Sequence, residues 1–111
     1  MMSKILVAED DLSLSRLVCA TLRAEGYEVT SCVDGDAATD EFGKDKYDLV
    51  ITDIMMPKLD GFALAELIRA ADGHVPILFM TARDDKPSKQ LGFKLGIDDY
   101  ITKSFVMDIF V

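Results

Sequence analysis

No run of roughly 18 apolar residues occurs in this chain of 111, so no membrane-crossing helix is expected. Nor does a signal-peptide core open it, because Met1-Met2-Ser3-Lys4 leads straight into a strand-like run. Cysteine is scarce. The two present, Cys19 and Cys32, lack the paired spacing of a metal site and read as small core hydrophobes in a reducing compartment. The expected location is therefore cytoplasmic. Linkers, internal repeats and low-complexity segments are missing too, so residues 1–111 are expected to form one domain. Positive charge is in short supply, with 12 Lys and Arg against 20 Asp and Glu, a net charge of −8. An acidic surface repels nucleic acid, so any DNA-related role needs a further domain. What the chain does have is apolar material. Half of its residues are hydrophobic, enough for a core and too many for disorder.

That material is arranged in short runs rich in β-branched residues, alternating with longer helical patterns. Strands are expected at Lys4–Ala8, Glu28–Val33, Asp48–Thr52, Ile77–Met80 and Asp99–Thr102. The first, third and fourth are almost continuously apolar, as strands covered on both faces are. The second is mixed and suits an edge. Helices are expected at Leu12–Glu25, with Leu14, Leu17, Val18 and Leu22 on one stripe and Gly26 beyond its end. Others are expected at Asp36–Phe42, Gly61–Ala71 and Lys86–Leu95. Such alternation argues for βαβ units, a parallel sheet and right-handed crossovers. After Phe105 only six residues remain, room for about one or two turns of a fifth helix.

Chemistry concentrates where the apolar runs stop. Glu9 and Asp10 close the first, Asp53 closes the third, Thr81 follows the fourth and Lys103 follows the fifth. In an open parallel sheet these carboxyl tips border one crevice. Three acids a few ångströms apart repel by about 4 kcal/mol per pair at an effective dielectric near 20. They persist together with a cation or with shifted protonation. Oxygen ligands open to water and phosphate favour Mg²⁺. Asp11, just before the Leu12 helix, fits an N-cap better than a ligand. The assembled site reads as a carboxylate nucleophile toward phosphorus, Asp53, with Mg²⁺ on Asp10, Asp53 and the Met55 carbonyl. Glu9 acts through water, and Lys103 and Thr81 stabilise phosphoryl oxygens.

These residues stand in Ile5-Leu6-Val7-Ala8-Glu9-Asp10-Asp11, Asp53-Ile54-Met55-Met56-Pro57 with Asp60-Gly61, Met80-Thr81-Ala82, and Asp99-Tyr100-Ile101-Thr102-Lys103. The combination resembles a two-component response-regulator receiver domain from Lys4 to Phe105. The resemblance implies a flavodoxin-like, doubly wound, five-stranded parallel sheet in the order 2-1-3-4-5, here with its last helix truncated. It also implies phosphoryl transfer from a sensor histidine kinase to Asp53. Thr81 then moves toward the phosphate and Tyr100 turns inward, remodelling the fourth helix and fifth strand. Ala82-Arg83-Asp84-Asp85 and Gly96-Ile97-Asp98-Asp99-Tyr100 resemble the OmpR-like branch. Members of that branch carry a carboxyl-terminal winged-helix DNA-binding domain and form homodimers through the fourth helix, fifth strand and fifth helix. By the same resemblance Met55 and Arg83 tune dephosphorylation, and Asp98 or Asp99 pairs with a basic residue on the fifth helix.

Two features depart from the family pattern. Ser104 stands where a proline usually follows the lysine. A cis bond costs about 2.5–4 kcal/mol before serine against about 0.5–1 before proline, so a trans Lys103–Ser104 bond and a displaced ammonium are expected. The shortened last helix is expected to leave apolar surface, covered by Ile109, Phe110 and Val111 or by another chain. Three rival readings meet the same residues. A flavodoxin needs a hydroxyl- and glycine-rich phosphate cradle where this chain has Glu9-Asp10-Asp11. A haloacid-dehalogenase-like phosphatase needs a second acid where Met55 stands. A stand-alone receiver would signal through protein contact alone.

Overall fold

Side-chain alternation along the buried strands divides the core in two. The computed structural model describes residues 3–54, 56, 58–81 and 99–102. Its elements run β1 (Lys4–Ala8), α1 (Leu12–Ala24), β2 (Glu28–Cys32), α2 (Gly35–Lys44), β3 (Leu49–Asp53), α3 (Gly61–Ala71), β4 (Ile77–Thr81) and β5 (Asp99–Thr102). All four strand pairs are parallel, and the sheet order is β2-β1-β3-β4-β5, as the resemblance implied. Leu6 and Ala8 face one side with Val50, Ile77 and Phe79, against Ala38 of α2 and Leu64, Ala65 and Ile68 of α3. Ile5 and Val7 face the other with Val29, Ile51 and Met80, against Leu14, Val18 and Cys19 of α1. This period of two, in strands with no polar face, is what a doubly covered sheet requires. β2 lies at the edge with only Val29 and Cys32 buried, in line with its mixed sequence. No described helix is long and apolar enough to cross a membrane.

The helix ends are chemically marked. Asp11 caps α1, its Oδ1 accepting from Ser13 N–H at 3.0 Å and Leu14 N–H at 3.2 Å. At the other end Gly26 has φ +96°, its N–H donates to Arg23 C=O, and Tyr27 N–H donates to Leu22 C=O. That pair of bonds is a Schellman motif, which needs a residue tolerant of the left-handed region. Asp60 caps α3 through Ala63 N–H at 2.9 Å. After α3, Asp72 accepts from His74 and Val75 N–H, and Arg69 donates to the Val75 carbonyl. At the foot of the sheet the Lys4 ammonium meets Asp45 and Glu28, while the Lys4 N–H donates to the Asp48 carboxylate and the Asp48 N–H to the Lys4 carbonyl.

Several expected boundaries shift. α2 runs from Gly35 to Lys44 instead of 36–42, with Gly43 inside it, because Asp34 is the cap that starts it and Lys44 supports its last turn. β3 starts at Leu49, since Asp48 uses its carboxylate to close the Lys4 corner, and it includes Asp53. β2 stops at Cys32, α1 at Ala24, and β4 extends to Thr81. Both cysteines are free and buried, as expected. Burial pushes the Cys32 thiol up to about 11. The expected helix at 86–95, the Lys103–Ser104 bond and the truncated last helix lie outside the described residues.

Among the described residues, three carboxylates are held below their ordinary range. Asp34 is lowered chiefly by the Ala37 N–H, Asp45 by its bond to Lys4, and Asp72 by the His74 N–H. Their contribution to stability is fully present above the usual aspartate pKa of about 3.9. It is lost as pH falls through the depressed values. Urea unfolding over a pH series should therefore show a gap between wild type and Asp72→Ala that is wide at neutral pH and narrows in acid. A gap that widens in acid would contradict this account.

A candidate phosphoryl and cation site

Register sets the site. Ala8 pairs with Cys32 on one side and Thr52 on the other, so the next residues, Glu9 just beyond β1 and Asp53 at the end of β3, stand at the same height. Glu9 is completely buried, Asp53 is 3% exposed, and Asp10 faces solvent. One carboxylate oxygen from each of Glu9, Asp10 and Asp53 lies within 4.8 Å of the others. The structure thus brings together the three acids that the sequence singled out. They are not merely solvated loop acids, because two of them are desolvated. Across that separation, Glu9 and Asp53 repel by of order 3 kcal/mol at an effective dielectric near 20. A hard divalent ion fits this donor set, which is all oxygen and open on the Asp10 side.

Hydrogen bonds involving the backbone hold Glu9 and Asp53 in place. Glu9 N–H donates to the Cys32 carbonyl at 3.0 Å, and Glu9 Oε2 accepts from Asp11 N–H at 3.0 Å. The Asp53 carbonyl accepts from the Thr52 hydroxyl at 2.9 Å. Directly behind Asp53 lies Gly61, the first residue of α3. Its N–H donates to Ile54 C=O at 2.8 Å, and a Cβ there would stand 2.2 Å from the Asp53 carbonyl oxygen. Asp60-Gly61 was visible as part of a motif, but its role was not. Only the cap followed by a small residue hinted that a helix begins against another backbone.

The remaining expected site residues are placed to different degrees. Met80 pairs with Asp53, so Thr81 ends β4 one residue beyond that level, and Thr81 pairs with Thr102. Tyr100 lies on β5 opposite Phe79. Lys103, next in the chain after Thr102, and Met55 lie outside the described residues, as does Arg83.

A doubly wound parallel sheet with a carboxylate cluster at its strand tips defines a class of flavodoxin-like α/β domain with an acidic cation site. The sequence model of the response regulator receiver domain matches residues 5–110, and the chain belongs to that family. It is a receiver domain of two-component response regulators, a signalling module and not a conventional enzyme. Among its relatives, the transcriptional regulatory protein RprY of Bacteroides fragilis is 49% identical over 105 residues, 95% of this chain. The alkaline phosphatase synthesis transcriptional regulatory protein PhoP of Bacillus subtilis is 41% identical over 105 residues, again 95% of the chain. The chain spans 44% of the length of each. Among solved structures, the chemotaxis protein CheY4 of Vibrio cholerae superposes with a TM-score of 0.89 at 28% identity, covering 98% of this chain and 96% of that one. The non-phosphorylated HemR receiver domain of Leptospira biflexa gives 0.89 at 31% identity, covering 97% and 87%.

Two variants test this geometry. Asp10→Asn removes one of three crowded charges, so without divalent ions it should melt higher than wild type, and added Mg²⁺ should stabilise it less. A lower melting temperature for the metal-free variant would contradict the crowding. Gly61→Ala forces the α3 start away from Asp53 and should cost about 1–3 kcal/mol in urea unfolding. An unchanged midpoint would show that the contact is not tight.

Proposed function

We propose that Asp53 accepts a phosphoryl group from the phosphohistidine of a sensor histidine kinase. The observation that carries this reading is the gathering of Glu9, Asp10 and Asp53 at adjoining strand tips. An Asp53 oxygen forms a bond to phosphorus while the bond from phosphorus to the donor imidazole nitrogen breaks, leaving its electron pair on nitrogen. The product is an acyl phosphate, formed and later hydrolysed on the domain itself without other turnover. Glu9, Asp10 and Asp53, with the Met55 carbonyl, are the residues that would hold Mg²⁺. When bound there, Mg²⁺ supplies neutralisation of the charge that develops on the phosphoryl oxygens. Thr81 and Lys103 donate to those oxygens, and Thr81 and Tyr100 carry the event to the fourth helix, fifth strand and fifth helix.

In this reading residues 1–111 are one receiver domain of a cytoplasmic regulator. Both relatives described above bear names of transcriptional regulators, and this chain matches less than half of each. That favours output through a DNA-binding effector domain, with a homodimer forming on the switched face, over a receiver that signals alone. The net charge of −8 supports the same division of labour, because this domain repels DNA.

Incubation with acetyl phosphate and Mg²⁺ should add one phosphoryl group to the wild type by intact mass, and none to Asp53→Asn. Chelation of Mg²⁺ should prevent the addition. A wild type that stays unmodified would overturn the phosphoacceptor assignment. Steady turnover of many phosphomonoesters would point instead to a phosphatase.

A further inference from the structure

The corner between β2 and α2 touches both halves of the acidic pocket. On one side the Cys32 carbonyl accepts the Glu9 N–H. On the other, Asp34 and Gly35 meet the connection between β3 and α3. Asp34 caps α2 with Oδ1, which accepts from Ala37 N–H at 2.8 Å, and turns Oδ2 to the Lys58 ammonium at 3.5 Å. Gly35 is buried, and a Cβ on it would stand 2.1 Å from the Leu59 carbonyl oxygen and 2.5 Å from the Leu59 Cβ. The connection therefore rests on the helix backbone with no side chain between them. Leu59 packs on the core that α2 and α3 share.

The connection is also strained. Lys58 has φ 70°, the one non-glycine residue in the left-handed region among those described. This conformation costs a lysine roughly 1–2 kcal/mol and persists where its surroundings impose it. The surroundings here are Asp34 and Gly35 before the strained residue's neighbour Leu59, and Gly61 after it. Gly61 in turn abuts the Asp53 carbonyl. A path thus runs from Gly35 by contact to Leu59, along the chain to Gly61, and by contact to Asp53.

We propose that Asp34, Gly35 and Lys58 are positioning residues for the cation site, acting as a strut that braces the connection after Asp53 against the β2–α2 corner beside Glu9, in addition to the spacing set by the β1–β3 register. This rests on the reading of Glu9, Asp10 and Asp53 as the Mg²⁺ site. The ion pair itself contributes little, because Lys58 is mostly exposed. The strut acts through the backbone contact at Gly35 and the imposed turn at Lys58.

The test is Mg²⁺ affinity, measured by titration calorimetry well below the melting temperature of each variant. Gly35→Ala should bind Mg²⁺ roughly 10-fold more weakly than wild type, the scale seen when groups supporting metal ligands are lost. Ile68→Val, buried in the core on α3, lowers stability while leaving Asp34, Gly35, Lys58 and Gly61 unchanged, and should bind as wild type does. Lys58→Gly covers the case in which Gly35→Ala fails to fold. Removing a positive charge by itself favours a cation, whereas loosening the turn disfavours it, so weaker binding supports the strut. Wild-type affinity in folded Gly35→Ala, tighter binding in Lys58→Gly, or an equal loss in Ile68→Val would overturn the strut alone. A wild type that does not bind Mg²⁺ would overturn the metal reading and the strut with it.

Discussion

The in-register pairing of β1 with β3 is the constraint on which the rest depends. Ala8 opposite Thr52 fixes where Glu9 and Asp53 emerge. A slip of one residue would turn one of the two carboxylates to the opposite face of the sheet. Register is secured by the apolar residues below, because each strand divides its side chains between two filled cores. Ile5, Val7 and Ile51 belong to one, and Leu6, Ala8 and Val50 to the other. At the opposite end of the strands, the Asp48 N–H bond to the Lys4 carbonyl and the Lys4 N–H bond to the Asp48 carboxylate support the same alignment. Hydrophobic burial thereby does indirectly what no favourable contact among the acids could do.

Taken alone, the repulsion between Glu9 and Asp53 works against the stability of the domain. Total stabilities are only about 5–15 kcal/mol, so a repulsion of order 3 kcal/mol between two buried carboxylates is a substantial share. The cores on both faces and the capped helices offset it. Such a pocket responds strongly to whatever changes its charge, which suits a module whose task is to register one added group. The same crowding explains why Asp10 is left in solvent while Glu9 and Asp53 are buried: a third desolvated charge would demand far more compensation.

Much of this was legible in the chain. Apolar runs ending in Glu9-Asp10 and Asp53 announced both the parallel sheet and the placement of the acids, because buried strands have no polar face to confuse the pattern. Asp11 and Gly26 were legible as cap and stop, since both act within a single turn. The expected α2 stopped short of Gly35 and Gly43, both of which lie inside the helix although glycine is a poor helix former. Inside the fold, Gly35 is needed for its contact with Leu59 and Gly43 faces open space. The roles of Asp34, Gly35 and Lys58 left no local signal at all. They arise from the meeting of two loops more than twenty residues apart, and no periodicity encodes such a meeting.

Cys19 and Cys32 lie in separate cores on opposite faces of the sheet. The sheet between them keeps the two sulfurs from joining, and the high pKa of Cys32 makes it a poor nucleophile at neutral pH. A thiol engineered onto the exterior would therefore be the most readily alkylated one, so a fluorophore or spin label could be attached at a chosen point while both native cysteines remain.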